Sequence, residues 1–155
     1  MRMKLVSLAS VLLVAALALV SVACADELPA DVKTALTTSK YVYISSTRKD
    51  GSLSKPAEIW FMYHNGAVYV GTTPTSWRAK RIKKGRTTAK IAVGKPDGPS
   101  FTASGAIVNE PDVYPVLYET YAKKYPDGWP QFEQKFRSGF KDSTRVLIKY
   151  TPKGS

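Results

Sequence analysis

The densest chemical feature of this sequence is the run Ser76-Trp77-Arg78-Ala79-Lys80-Arg81-Ile82-Lys83-Lys84-Gly85-Arg86, in which six of eleven residues are basic and none is acidic. Such a run calls for an anion. Trp77 to Lys84 are good helix formers, with Ser76 placed as an N-cap and Gly85 as a stop. If Ser76 caps that helix, free backbone N–H groups and the positive end of the helix dipole point outward together. Arg78, on the first turn, adds a bidentate guanidinium to the same point. The group that this combination suits is a phosphate monoester. The run also follows a strand ending in Thr72-Thr73, so hydroxyls and helix start converge. A solvated helix face, or a patch meeting anionic lipid or polymer, is the plainer alternative.

Other chemistries find little support. His64 is the one histidine and sits beside Asn65-Gly66 in a turn, so neither a His-based zinc site nor a Ser-His-Asp triad assembles. The acidic residues, among them Glu58, Glu110, Asp112, Glu119, Asp127, Glu133 and Asp142, are scattered, with no acid and base pair. One cysteine allows no intramolecular disulfide and no C-x-x-C pair. No catalytic side chain and no metal site is therefore assigned, and redox chemistry would come from a bound cofactor. Trp60-Phe61 offers a planar apolar wall for a flat ligand, although strand aromatics in a small barrel are commonly core.

The elements that must position these residues read clearly. Leu28, Val32 and Leu36 fall at helical spacing within Leu28 to Ser39, an amphipathic lid. Tyr41 to Ile44 and Ala57 to Tyr63 are strands flanking the charged turn Arg48 to Ser52. Asn65-Gly66 supplies the positive φ angles of a type I′ turn into Ala67 to Thr72. Thr87 to Val93, Ser100 to Val108 and Arg145 to Tyr150 complete six strands, with Gly105 at a bulge or close approach. Helices are predicted over Val113 to Tyr125 and Gln131 to Phe140, the latter carrying Phe132, Phe136 and Phe140 at i, i+4, i+8. The fold class that follows is mainly β (α+β), a six-stranded antiparallel barrel with short peripheral helices at its rim.

The chain has 155 residues and a net charge of +11. Residues Leu5 to Ala23 carry no charge and follow Arg2 and Lys4, the pattern of an export signal, so residues 1–25 are set apart from a domain at 26–155. Ser21-Val22-Ala23-Cys24 resembles a lipoprotein cleavage box, with Cys24 the lipidated residue; ordinary cleavage at Ala23-Cys24-Ala25 or an uncleaved anchor are the alternatives. Each places the domain outside the cytoplasm, in the cell envelope or periplasm, anchored to the membrane in the lipoprotein case. Cutting before Cys24 leaves 132 residues and a charge of +9. That length buries roughly two thirds of the unfolded chain's surface without a disulfide or metal. An exported domain has little use for nucleic acid despite its charge.

The order of parts over about residues 28 to 152 resembles the pyridoxamine 5′-phosphate oxidase-like split-barrel family, which includes deazaflavin-dependent reductases. The resemblance rests on Pro56 to Phe61, Asn65-Gly66, Tyr69 to Thr72, Ser76 to Ala79, and Ser104-Gly105-Ala106 before an acidic helix start. It implies a split barrel that binds FMN, or less readily deazaflavin F420 or haem. The main chain of Glu58, Ile59, Trp60 and Phe61 would run along the flavin ring, with Thr72 at the end of the next strand. Ser76 and Arg78 stand for the family's Ser-x-Lys phosphate motif, with Trp77 between them. Trp77 and Pro56 replace positions that are often basic in the oxidases, and Phe61 replaces another. The family's C-terminal substrate-binding segment has no counterpart here. A homodimer and a flavin-dependent oxidoreductase acting on a small organic acceptor are the further expectations. A non-catalytic ligand- or haem-binding module of the same fold is the alternative.

Overall fold

The computed structural model describes residues 27–154; the export signal expected at 1–25, with its lipidation candidate Cys24, lies outside the described residues. Within them the chain runs α1 (Ala30–Thr38), β1 (Tyr41–Ser46), β2 (Ala57–Trp60), β3 (Met62–His64), β4 (Ala67–Thr72), α2 (Trp77–Lys83), β5 (Thr88–Val93) and β6 (Ser100–Val108), then α3 (Val113–Lys124), α4 (Trp129–Asp142) and β7 (Val146–Pro152). The strands form one sheet in the order β2-β1-β5-β6-β7-β4-β3, and every pairing is antiparallel. The outermost strands, β2 and β3, are consecutive in the chain and separated by Phe61 alone. The six expected strands thus become seven, because the run 57–64 changes hydrogen-bonding partner at that residue. Before it, Ala57–Trp60 pairs with β1; after it, Met62–His64 pairs with β4. One bent strand joins the two ends of the sheet into a nearly closed barrel, which leaves no long free edge.

Local chemistry explains the rest of the framework. Asn65 and Gly66 have φ angles of 48° and 75°, the two positive values that a type I′ turn needs. Gly105 is required by close approach, since a Cβ there would lie 2.7 Å from the Tyr150 ring and 2.9 Å from Ile82 of α2. β4 is buried on both faces, so its residues divide between two cores. Val68 and Val70 point into the barrel with Val42, Ile44, Ile91 and Ile148, and α1 closes that core with Leu28, Val32 and Leu36. Tyr69 points outward and joins Leu117, Tyr121, Trp129, Phe136 and Leu147 beneath α3 and α4.

The change of partner at Phe61 leaves backbone groups that no strand satisfies, and α3 supplies side chains to meet them. The Phe61 N–H donates to the Tyr125 hydroxyl at 3.0 Å, and that hydroxyl donates onward to the Lys40 carbonyl at 2.7 Å. The Lys124 ammonium donates to the Phe61 carbonyl at 3.0 Å and lies 3.4 Å from the centre of the Phe61 ring. The Tyr121 hydroxyl donates to the Trp60 carbonyl at 3.1 Å. Burial raises the Tyr121 and Tyr125 hydroxyls above the ordinary phenol range, which keeps both as donors.

Removing the Tyr125 hydroxyl strands a buried N–H and weakens the tie to Lys40. Tyr125→Phe is expected to cost about 1–3 kcal/mol in urea unfolding, and a loss within error of zero would show that the partner change needs no clasp. Burial lowers Lys124 from its ordinary 10.5 to about 8. The unfolded chain therefore binds more protons than the fold between those values, so stability should rise with pH from about 8 toward 10.5. Lys124→Met should flatten that rise when unfolding free energies are compared across the window.

Candidate functional site

Where β2 leaves the barrel wall it pairs with β1 alone, and its other edge faces β4 without a ladder. Two clefts flank this seam, and Ile59 lines both. The first is a cationic cleft of about 400 Å³ that includes Ser46, Arg48, Lys55, Ile59, Thr72, Ser76, Trp77, Arg78 and Arg81 in its wall. Four guanidinium or ammonium groups line it with no carboxylate among them. The second is an aromatic cleft of about 280 Å³ lined by Glu58, Ile59, Trp60, Gly71, Phe132, Phe136 and Arg145.

In the cationic cleft Ser76 caps α2, its hydroxyl oxygen accepting the Ala79 N–H at 3.3 Å. α2 is only seven residues long, so its dipole is small and the attraction for an anion rests on side chains. Ala79 is fully buried and anchors the helix, while Lys80, Lys83 and Lys84 face solvent. Arg78 and Arg81 turn the other way. The Arg81 guanidinium is engaged, its Nη1 donating to the Ser46 hydroxyl at 2.6 Å. Arg78 Nη1 is buried and has no acceptor. Burial lowers the Arg78 pKa below the ordinary guanidinium range, with Tyr150 and Tyr121 acting in the opposite sense. A buried cation with an unfilled hydrogen-bonding position is costly unless an anion meets it. Trp77 is 71% exposed at the mouth, with Lys80 and Arg81 at 5.2 and 5.6 Å from its ring centre.

The residues expected to form one site are thus divided. Ile59, Thr72, Ser76, Trp77 and Arg78 gather in the cationic cleft, and Glu58, Ile59 and Trp60 line the aromatic one. Phe61 lines neither: its ring is fully buried, and Tyr125 and Lys124 occupy its backbone N–H and C=O. The Trp60 carbonyl is likewise taken by Tyr121. Arg48 and Lys55 were not foreseen. Lys55 immediately precedes Pro56, where the resemblance lacked a basic residue, so a cation stands one residue away from the expected position. Arg48 belongs to the charged turn of the sequence, and only the β1–β2 hairpin brings that turn to α2. Among the described residues no group of three or more His, Cys, Asp or Glu could hold a metal, and no helix is long and apolar enough to cross a membrane.

The sequence matches no family model and no curated protein. The architecture does match solved structures. A Listeria innocua protein provisionally assigned as a pyridoxamine 5′-phosphate oxidase aligns with a TM-score of 0.57 at 12% identity, over 79% of this chain and 91% of its own. The heme storage protein HutZ of Vibrio cholerae gives 0.56 at 11% identity, over 83% of this chain and 92% of its own. An F420 reductase gives 0.53 at 18% identity, over 82% of this chain and 97% of its own. The fold is the pyridoxamine 5′-phosphate oxidase-like split barrel. Its representatives carry names that span oxidase, reductase and heme storage, so the split barrel by itself does not select one chemistry.

Arg78 offers a direct test of the cleft without any cofactor. Arg78→Met removes an unpartnered buried charge while keeping a long apolar stem, so its stability in phosphate-free buffer should equal or exceed the wild type. Added inorganic phosphate should raise the melting temperature of the wild type more than that of Arg78→Met, as read by thermal unfolding.

Proposed function

We propose that this chain is an exported split-barrel protein that binds FMN and works as a flavin-dependent oxidoreductase on a small organic acceptor. The observation that carries the reading is Arg78, a largely buried guanidinium with an unfilled donor position, in the wall of a cleft whose charged side chains are all cationic. A phosphate monoester in that cleft would meet the charge of the Arg78 guanidinium. Ser76 and Thr72 contribute hydroxyls, Arg81 adds charge from the same helix, and Arg48 and Lys55 add it from the β1–β2 connection. FMN, when bound, would supply the electron-transfer chemistry. The chain's own part is to fix the phosphate and present an edge to the ring. Alternate backbone groups of Ala57–Trp60 point away from the β1 ladder, and those not taken by Tyr121 are available for that edge. No side chain is required as acid or base. Export, with lipidation at Cys24 holding the domain at the envelope, belongs to the same proposal and is supported by the uncharged stretch Leu5 to Ala23.

The test is an absorption titration of the purified protein with FMN, with haem titrated alongside. Saturable FMN uptake is expected, and Arg78→Ala should weaken it by about tenfold or more, because a charge-assisted hydrogen bond is lost. Lys83→Ala and Lys84→Ala, on the solvent face of α2, should change it little. Equal losses at all three positions would reduce the cleft to a diffuse basic surface. Haem uptake without FMN uptake would move the protein to the ligand-binding alternative.

A further inference from the structure

The aromatic cleft on the other side of β2 is built differently from the cationic one, and its parts point to a ligand of its own. Trp60 is held rigidly. Tyr125 stacks on it at 4.2 Å with the rings 5° apart, and Phe132 of α4 meets it edge-on at 5.6 Å. Phe136, one helical turn from Phe132, packs directly on Gly71 of β4, where a Cβ would lie 2.5 Å from its ring. The walls are therefore flat, aromatic and fixed.

One cation stands among them. The Arg145 guanidinium lies 4.3 Å from the centre of the Phe136 ring, and its stem rests against Gly139. Among the described residues no carboxylate lies within ion-pair distance of it, and no side-chain or backbone oxygen accepts from it. Glu58, the one acid in the lining, is held by the Tyr43 hydroxyl at 2.5 Å and forms no pair with Arg145. Burial lowers Arg145 below the ordinary guanidinium range. A half-buried, unpaired guanidinium beside fixed aromatic walls favours a planar aromatic ligand with a carboxylate at one end: stacking and edge contacts hold the ring, and the fork of Arg145 holds the anion. The volume of about 280 Å³ suits one or two rings.

We infer that the cleft formed by Trp60, Phe132, Phe136 and Arg145 is a binding site for small aromatic carboxylates, separate from the cationic cleft that Arg78 serves. The site requires no particular cofactor in the neighbouring cleft, and its occupant is placed beside β2, the strand that both clefts share.

The experiment is a titration of the full chain with 2-naphthoate, read by quenching of Trp60 fluorescence against Trp60→Phe and by chemical shifts of the ligand, with 2-naphthylmethanol as the neutral probe. Saturable naphthoate binding is expected, at least about tenfold tighter than the alcohol. Arg145→Met keeps the stem over Gly139 and Phe136 and should lose that margin. Glu58→Gln removes the opposing charge and should bind naphthoate as well as the wild type or better. Arg78→Met should leave naphthoate binding unchanged while it weakens FMN, and Arg145→Met should do the reverse, so the two readings fail separately. Equal binding of acid and alcohol, unchanged naphthoate binding in a folded Arg145→Met, or joint loss of FMN and naphthoate in that variant would each overturn the separate site.

Discussion

The whole barrel depends on one bent strand changing partners at Phe61. A sheet whose two end strands are halves of a single run must break its ladder once, and the break exposes amide and carbonyl groups in the interior. Tyr121, Lys124 and Tyr125 meet that demand from the last turn of α3 and the residue after it. The same three residues fix where α3 lies, and α3 fixes where α4 can pack. Trp60, trapped between Tyr125, Tyr121 and Phe132, ties the clasp to the outer core.

The break also creates the two clefts of the candidate site. Because β2 leaves the wall with only β1 as its partner, a seam opens between it and β4, with a cleft on either side. The clefts have opposite characters for a simple reason. Successive strand residues point to opposite faces, so Ile59 belongs with the barrel interior and Trp60 with the outer core. Cations from the β1–β2 turn and α2 gather on the inner side, and aromatics from α4 gather on the outer side.

Charge is distributed to the same effect. Glu110 accepts from both Tyr69 and Lys149, Glu133 pairs with Arg137, Glu119 with Lys123, and Glu58 accepts from Tyr43. These acids are engaged elsewhere, and Asp50, which interacts with Arg48, stands outside the lining, so no carboxylate lines the cationic cleft. The excess of basic residues thus becomes local: Arg48, Lys55, Arg78 and Arg81 meet within one cleft although they come from two separate stretches of chain.

Much of this was written in the sequence. The Asn65-Gly66 turn, the alternation along the strands, the helical spacing of Leu28, Val32 and Leu36, and the Ser76 cap are local features. Their physical causes act over a few residues, so the sequence by itself determined them and the antiparallel barrel they build. It also determined that Ser76 and Arg78 would serve one cleft, since they share a helical turn. What only the tertiary structure decided was non-local. The aromatic run 59–63 does not reveal that its ladder breaks at Phe61, because the groups that make the break tolerable are more than 60 residues away on α3. Nor does it tell a wall of a cleft from a core position: Trp60 and Phe61 are adjacent aromatics, yet the first lines a cleft and the second is sealed. Arg145 and Lys55 gave no signal because an isolated cation in a sequence reads as surface. Whether it meets solvent, an acid or an empty cleft depends on which distant elements fold against it.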